Sequence, residues 1–456
     1  MLRIFRHYIS GVSVALFAGD LAVILGSFYV ADVTGSWLGY GPLGPKLVLV
    51  SVVIFFVMQL GDLYNLRSAL GRGELVAKIF TCQAVAALVI AAAGFAIPEL
   101  RLGRAAFLKV LAVTTIGLAG WRLFWLGAYS NRLMKLNVLV LGTGTTGGLI
   151  AGLEHTGTRP FNIIGYLDDT PEAADALPPG QVLLGKIKDL STIVEETRPD
   201  LIVVAQMDRR GHFPGQALLD CRLRGIQVED WPSFYEKETG KILVTNLRPS
   251  WLIFSDGFVK TARTETIKRG IDVLLSLVGL ILAAPAMALI ALAITLESPG
   301  PVLFRQARLG KSGREFILKK FRSMRKDAEK DTGPVWAQPG DPRVTRVGAF
   351  LRRTRLDELP QLLNVLAGDM SFIGPRPERP EFVHRLRNEI PFYMERLSVR
   401  PGVTGWAQVS YEYGASVEDA LEKLQYDLYY IKNLSLFLDL LILVKTIQVV
   451  LFARGR

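Results

Sequence analysis

The stretch RRTRLDELPQLL carries the densest set of reactive side chains in this sequence. Arg352, Arg353 and Arg355 precede an adjacent acidic pair, Asp357 and Glu358, and an apolar helical pattern follows through Leu359, Leu362, Leu363 and Leu366. Two carboxylates beside three guanidinium groups suit chemistry on a phosphorylated substrate. One carboxylate can act as a nucleophile. The other can hold a divalent cation, which for phosphates is Mg²⁺ because of its preference for oxygen ligands. A helix start adds free N–H groups where a phosphate binds well. Downstream, GPRP (374–377) holds Arg376 between two prolines, suited to a forked contact with phosphate. The same pair also suits an ordinary helix start, with Asp357 as N-cap, Glu358 favoured by the helix dipole and Pro360 tolerated in the first turn. The two residues alone leave both readings open.

The elements that must position this pair begin with a membrane part. The chain has 456 residues, half of them apolar, and a formal charge of +11. Residues 256–400 hold 25 Lys and Arg against 16 Asp and Glu, so nine of the eleven excess charges lie there. Such a surface suits a polyanionic partner or an anionic membrane, or is a merely soluble basic face. No nucleic acid partner is expected. Cys82 and Cys221 are too few for a disulfide framework, and the four histidines show no zinc spacing. Four apolar runs, about 10–31, 46–65, 76–97 and 105–128, each reach the ~20 residues of a spanning helix. No small-residue cleavage site follows the first run, which therefore reads as a retained membrane helix. Arg3, Arg6, Arg67, Arg72, Lys78, Arg132 and Lys135 put three of the intervening places in the cytoplasm, with Arg101 and Arg104 on the opposite side. Asp20, in mid-helix, is expected to be functional or to make a helix–helix contact.

A Rossmann-like, doubly wound α/β domain is expected next. NVLVLGTGTTGGLIAGL (137–153) reads strand, GxGxxG turn (Gly142, Gly144, Gly147), helix. A second strand, 162–169, ends in Asp168 and Asp169, where a ribose-binding acid is expected, and a third covers 200–206. Glycines there admit a nucleotide pyrophosphate, or serve tight strand–helix packing alone. Membrane-attached nucleotide-sugar dehydratases also place such a domain behind four helices, but they need a Tyr-x-x-x-Lys pair. No tyrosine here has a lysine four residues on, so the domain reads as regulatory or structural.

A fifth apolar run, 267–297, is long enough to span, yet Pro285 interrupts it and both flanks are basic (Lys268 and Arg269 before; Arg305, Arg308 and Lys311 after). These features fit a bent helix that enters the membrane and returns, in preference to a kinked span. VLFRQARL (302–309) and REFILKKF (314–321) read as a hairpin around GKSG, which lacks the spacing of a Walker loop. The apolar helix 433–452 lies in the membrane interface or inside the catalytic domain.

SPGPVLFRQ (298–306), KFRSM (320–324), LDELPQLLNVLAGDMSFIGPRP (356–377) and RPGVTGWAQV (400–409) together resemble the bacterial polyprenyl-phosphate glycosyl-1-phosphate transferases of the large monotopic type. The likeness covers nearly all of 267–452. EDWPSFYEKETGKILV (229–244) adds a weaker likeness to members from exopolysaccharide and exosortase-linked loci. The resemblance implies a membrane α plus α/β protein: a four-helix transmembrane bundle (1–132), the Rossmann-like domain (133–255) and an α/β catalytic domain (256–456) with a re-entrant helix. It also implies that Asp357 attacks the sugar-linked phosphate of a UDP-sugar, releases UMP and passes the sugar phosphate to undecaprenyl phosphate. Glu358 and Asp357 would hold Mg²⁺, with Mn²⁺ as substitute, and Lys320, Arg322, Arg352 and Arg376 would contact phosphates. Glucose is the first sugar expected, then galactose or an N-acetylated sugar. The setting would be the cytoplasmic face of a bacterial inner membrane, with the protein a homodimer. The family commonly breaks its re-entrant helix at Ser-Pro; Ala284-Pro285 stands here. Rival readings are a membrane-bound nucleotide-sugar-modifying enzyme and a non-enzymatic membrane scaffold.

Overall fold

The computed structural model describes residues 2–4, 7–9, 11–37, 41–64, 71–130, 135–156, 161–170, 173, 175–205, 213–245, 249–325, 341–411, 414 and 416–451. Arg6, Arg67 and Arg132, used above for orientation, lie outside the described residues. Two compact units divide at Thr239/Gly240, earlier in the chain than the boundary expected at 255. After a short strand pair, Leu2–Ile4 (β1) with His7–Ile9 (β2), the first unit opens with Gly11–Val33 (α1), Leu43–Leu60 (α2), Arg72–Ala96 (α3) and Arg104–Ser130 (α4). All four are long and apolar enough to cross a membrane. They share a core that includes Ile24, Phe28, Ile54, Met58, Ile79 and Val110. Small residues bring α1 and α4 close: a Cβ on Gly19 would strike Trp121, and one on Gly117 would sit 2.6 Å from Val23.

Asp20 is a helix–helix contact. Its Oδ2 accepts from Arg122 Nη2 of α4 at 2.7 Å and from the Tyr64 hydroxyl at 2.8 Å, with both charged side chains fully buried. The Arg122 guanidinium also stacks 4.9 Å from the Tyr64 ring. The sequence showed no partner because 102 residues separate the two charges.

The rest of this unit is a parallel five-stranded sheet. Leu136–Leu141 (β3) is central, flanked by Phe161–Leu167 (β4) and Leu201–Val204 (β6); Leu183–Gly185 (β5) and Gln227–Asp230 (β7) form the edges, in the order β5-β4-β3-β6-β7. The connecting helices Gly144–Thr156 (α5), Leu190–Thr197 (α6) and Gly215–Leu223 (α7) alternate with the strands, as parallel pairing requires. Leu139, Leu141, Ile202 and Val204 form the core with Leu190 and Val194. Trp231–Thr239 (α8) packs Phe234 edge-on against Phe161.

In the second unit, Ile242 and Val244 join a core built on Val417–Lys432 (α15), whose Leu424, Leu428, Tyr429 and Tyr430 are buried. Pro249–Phe254 (α9) precedes the long helix Ala262–Glu297 (α10). Leu303–Leu309 (β8) and Glu315–Phe321 (β9) form the expected hairpin, and Ser371–Ile373 (β10) pairs in parallel with Gly402–Thr404 (β11). Arg346–Arg353 (α11), Leu362–Ala367 (α12), Pro380–Glu389 (α13), Trp406–Ser410 (α14) and Leu436–Leu451 (α16) complete it. Helix α16 divides between the two roles expected for it: Leu438 and Ile442 are core, while Leu440 and Val450 are exposed.

Helix α10 remains one helix with Pro285 inside it. At 1.5 Å per residue it is about 54 Å long. Only Asp272, Ser276 and Ile294 of it are buried. Both of its ends nevertheless hold the same unit. Near the start, Arg269 donates to the carbonyls of Val365 (2.6 Å) and Leu366 (2.8 Å), and Asp272 Oδ1 accepts from Ser371 Oγ and Phe372 N–H, each at 3.0 Å. Lys268 pairs with Asp439 at 2.7 Å. Near its end, Ile294 packs with Phe321 and Leu351, and Glu297 accepts from the Val347 N–H at 3.1 Å.

Breaking the buried pair in the first unit should be costly, because one partner is left as an uncompensated charge. Arg122→Ala should lose about 3 kcal/mol or more. Asp20→Leu combined with Arg122→Leu should recover most of that. Thermal unfolding in one detergent should rank wild type and the double variant above either single variant.

Candidate active site

Lys320 reaches the site from β9, where it pairs with Phe304 of β8 and holds its ammonium 5.3 Å from the Phe304 ring. The chain then enters KFRSM. Arg322, 5 % exposed, turns its guanidinium onto the carbonyls of Ser298 (2.6 Å) and Pro299 (3.0 Å), just past α10. Arg322 thus fastens the end of α10 to the hairpin, and the phosphate contact expected of it would compete with these two carbonyls. Ser323 Oγ accepts from Arg352 Nε at 2.8 Å and aims that arginine from the last turn of α11. Gly348 lets α11 approach this strand, since a Cβ there would collide with the Ser323 carbonyl.

The acidic pair sits differently from the helix start anticipated above. Asp357 is not an N-cap. Arg355, left-handed at φ 58°, caps a 3₁₀ turn over Leu356–Gln361, and the α-helix proper, α12, starts only at Leu362. Pro360 lies inside this turn and cannot donate a backbone hydrogen bond, and the α-helical ladder begins only beyond it. The turn buries Asp357 to 8 % exposure. Glu358 accepts from Arg376 at 2.9 Å and faces Arg355 at 3.6 Å. Burial and the neighbouring Glu358 charge push the Asp357 carboxyl above its usual range, opposed by Lys320, Arg352 and Arg376. Burial works in the same upward direction on Glu358, but Arg376 and Arg355 outweigh it and hold that carboxyl low. Burial also lowers Lys320, to about 8, helped by Arg308 and resisted by Asp357.

Arg376 lies in the GPRP segment between β10 and α13. Its carbonyl accepts from Arg396 Nη2 at 3.1 Å, and that of Pro377 from Arg308 at 3.1 Å. Arg396 is itself buried, with Asp427 at 2.8 Å and the Tyr393 hydroxyl at 2.7 Å. Lys320, Arg322, Arg352 and Arg376 all line one cavity of ≈ 360 Å³. Eleven arginines and lysines line it against two carboxylates, Glu378 and Asp427, so its lining is strongly basic. Asp357 and Glu358 are not among the lining residues, but the cations around Asp357 are. Sequence reasoning missed Arg269, Asn364, Arg396 and Asp427. The visible signal for Asn364 was one polar residue inside the apolar run LLNVLAG; nothing local marked the others.

The second expected site is arranged otherwise. Gly142 (φ 106°) and Gly144 (φ 66°) take the positive φ of a glycine turn, and a Cβ on Gly147 would crowd the Gly142 carbonyl and Tyr166 at 3.2 Å. Asp168 is turned onto that loop. Its Oδ2 accepts from the N–H and hydroxyl of Thr143, both at 2.7 Å, and its Oδ1 from the N–H and hydroxyl of Thr170, both at 2.9 Å. Burial alone would raise this carboxyl, but these hydrogen bonds hold it below the usual range. A ribose would therefore compete with Thr143 and Thr170 for it.

The fold joins helices long and apolar enough to cross a membrane to an α/β unit with a strongly basic cavity. The family model described as bacterial sugar transferase matches residues 263–453, and one described as CoA-binding domain matches 59–208. A UDP-glucose:undecaprenyl-phosphate glucose-1-phosphate transferase of Xanthomonas campestris pv. campestris is 30% identical over 97% of this chain and 94% of its own length. A UDP-N-acetylgalactosamine-undecaprenyl-phosphate N-acetylgalactosaminephosphotransferase of Aeromonas hydrophila is 47% identical over 52% of this chain, a match that spans 55% of that relative's length. A putative undecaprenyl-phosphate N-acetylgalactosaminyl 1-phosphate transferase of Bacillus subtilis is 59% identical over 30% of this chain and 76% of its own. The chain belongs to the bacterial sugar transferases, the polyprenyl-phosphate sugar-1-phosphate transferase family.

Two titrations should bound the transferase activity. If Asp357 reacts as a carboxylate, rate should fall on the acid side at a pH above the ordinary aspartate range, because burial and Glu358 raise that carboxyl. It should fall again on the alkaline side near pH 8 as Lys320 loses its proton. In Lys320→Arg the cation persists at every working pH. A pH–rate profile of that variant should keep the acid limb and lack the alkaline one.

Proposed function

We propose that this protein transfers a sugar-1-phosphate from a UDP-sugar to undecaprenyl phosphate, releases UMP, and so initiates assembly of a polysaccharide repeat unit. The observation that carries this reading is the buried Asp357 carboxylate set among Lys320, Arg352 and Arg376, three cations that open onto a strongly basic cavity. In the first step an Asp357 oxygen attacks the sugar-linked phosphorus, an Asp–O–P bond forms, and the bond to UMP breaks. In the second, a phosphate oxygen of the lipid attacks the same phosphorus and Asp357 is released as carboxylate. Lys320, Arg352 and Arg376 balance charge on the phosphates in both steps.

Asp357 and Glu358 are an adjacent acidic pair beside these cations, and no cluster of three His, Cys, Asp or Glu occurs among the described residues. Asp357 and Glu358 would hold Mg²⁺, or Mn²⁺, through their carboxylate oxygens, the ligand type such ions prefer. When bound, that ion supplies charge neutralisation at the phosphates. The names of the relatives favour glucose or N-acetylgalactosamine as the sugar.

The setting we propose is the cytoplasmic face of a bacterial inner membrane. Helices α1 to α4 would span it, with Arg72, Lys78 and Lys135 inside. Helix α10 would enter and return from one face. Support comes from its apolar outer side (Leu274, Ile281, Leu282, Leu289) and from the attachment of both its ends to one unit.

Purified protein in nanodiscs, given Mg²⁺, undecaprenyl phosphate and a panel of UDP-sugars, should release UMP with one donor. Asp357→Asn should cut that release about 10³-fold or more; a mutant as fast as wild type sinks the nucleophile assignment. For topology, alkaline phosphatase fused after Arg456 should stay inactive in cells while a cytoplasmic reporter at the same place works. The opposite pattern means that α10 crosses.

A further inference from the structure

Asn364 lies in α12 and is 1% exposed. Its amide meets the edge of β9 that β8 leaves unpaired. Oδ1 accepts from the Lys319 N–H at 3.0 Å, and Nδ2 donates to the Ile317 carbonyl at 2.8 Å and to Asp369 Oδ2 at 3.3 Å. In a strand, the carbonyl of one residue and the N–H two residues on face the same side. One side-chain amide therefore takes the place of a third strand. Lys320 follows Lys319 directly, and α12 follows the turn that carries Asp357.

The apolar contacts between the same elements cannot do this alone. Val365 and Met370 pack with Phe316 and Leu318. Such burial is non-directional and tolerates a slide along the strand, whereas a two-point amide contact fixes one register. The other side of α12 is held too: Arg269 of α10 donates to its last carbonyls, and Gly279 of α10 leaves room for Leu362. Helix α12 is thus fastened between the long apolar helix and the hairpin.

We propose that Asn364 is a positioning residue that sets the separation between the Asp357 carboxylate and the Lys320 ammonium. The inference rests on the transfer chemistry assigned above to those two groups. It is tested with the full chain in nanodiscs. Asn364→Leu, confirmed folded by thermal unfolding, should lower kcat for UMP release about 10- to 100-fold with KM nearly unchanged. A second readout needs no turnover: the pH dependence of Lys320 acylation, mapped by mass spectrometry against exposed Lys188. Lys320 faces Arg308, Arg352, Arg376 and Asp357, so its titration midpoint should move in Asn364→Leu while that of Lys188 stays. A folded variant with wild-type kcat, or with an unmoved Lys320 midpoint, overturns the proposal. If Asn364→Leu does not fold, Asn364→Ser decides, since it is neutral and too short to bridge Lys319 and Ile317; it must show the same shift in smaller measure. If wild type releases no UMP from any donor, the functional reading fails, and the acylation arm still judges the positioning of Lys320.

Discussion

Asp357 is a carboxylate taken almost wholly out of water, and it stays usable only while cations stand around it. That constraint organises the second unit. Each cation near Asp357 comes from a different element: Lys320 from β9, Arg352 from α11 and Arg376 from the segment after β10. Each is aimed by a neighbour: the hairpin register for Lys320, Ser323 for Arg352, and Glu358 together with the Arg396–Asp427 pair for Arg376. Crowding so many cations would be unfavourable without a polyanion to receive, which is why the basic cavity and the buried acid belong to one site.

Guanidinium groups on backbone carbonyls are the recurring fastening. Arg269 holds the end of α12, Arg322 the end of α10, and Arg308 and Arg396 the two carbonyls of the GPRP segment. A helix leaves its last carbonyls without partners, and a planar fork satisfies two at once. The outcome is a domain whose apolar helix and cavity-lining cations are tied to one frame of backbone contacts.

Most of the architecture was legible in the sequence because its signals are local. Apolar runs of spanning length, the strand–GxGxxG–helix pattern and the hairpin around GKSG depend on neighbouring residues, and all appear as helices and strands close to the expected limits. Misreadings arose where a distant partner decides. Asp357 looked like a helix cap because the left-handed backbone of Arg355 cannot be read from an arginine. The bonds that turn Asp168 onto the glycine loop come from Thr143, 25 residues back, and had no local signal. The partner of Asp20, and the uses of Arg269 and Asn364, depend on tertiary contact alone.

The clasp on α10 also imposes an order in time. As the chain is synthesised, α10 is complete long before its anchors exist. Lys268 waits for Asp439, 171 residues later, which at about 5–20 residues per second takes on the order of 10 to 30 s. The carbonyls that Arg269 will hold arrive sooner, 96 and 97 residues after it, so the helix gains its holds one at a time. If α10 lies in the bilayer, as we propose, it enters as a bare apolar segment, and the globular domain then assembles onto a helix already in place.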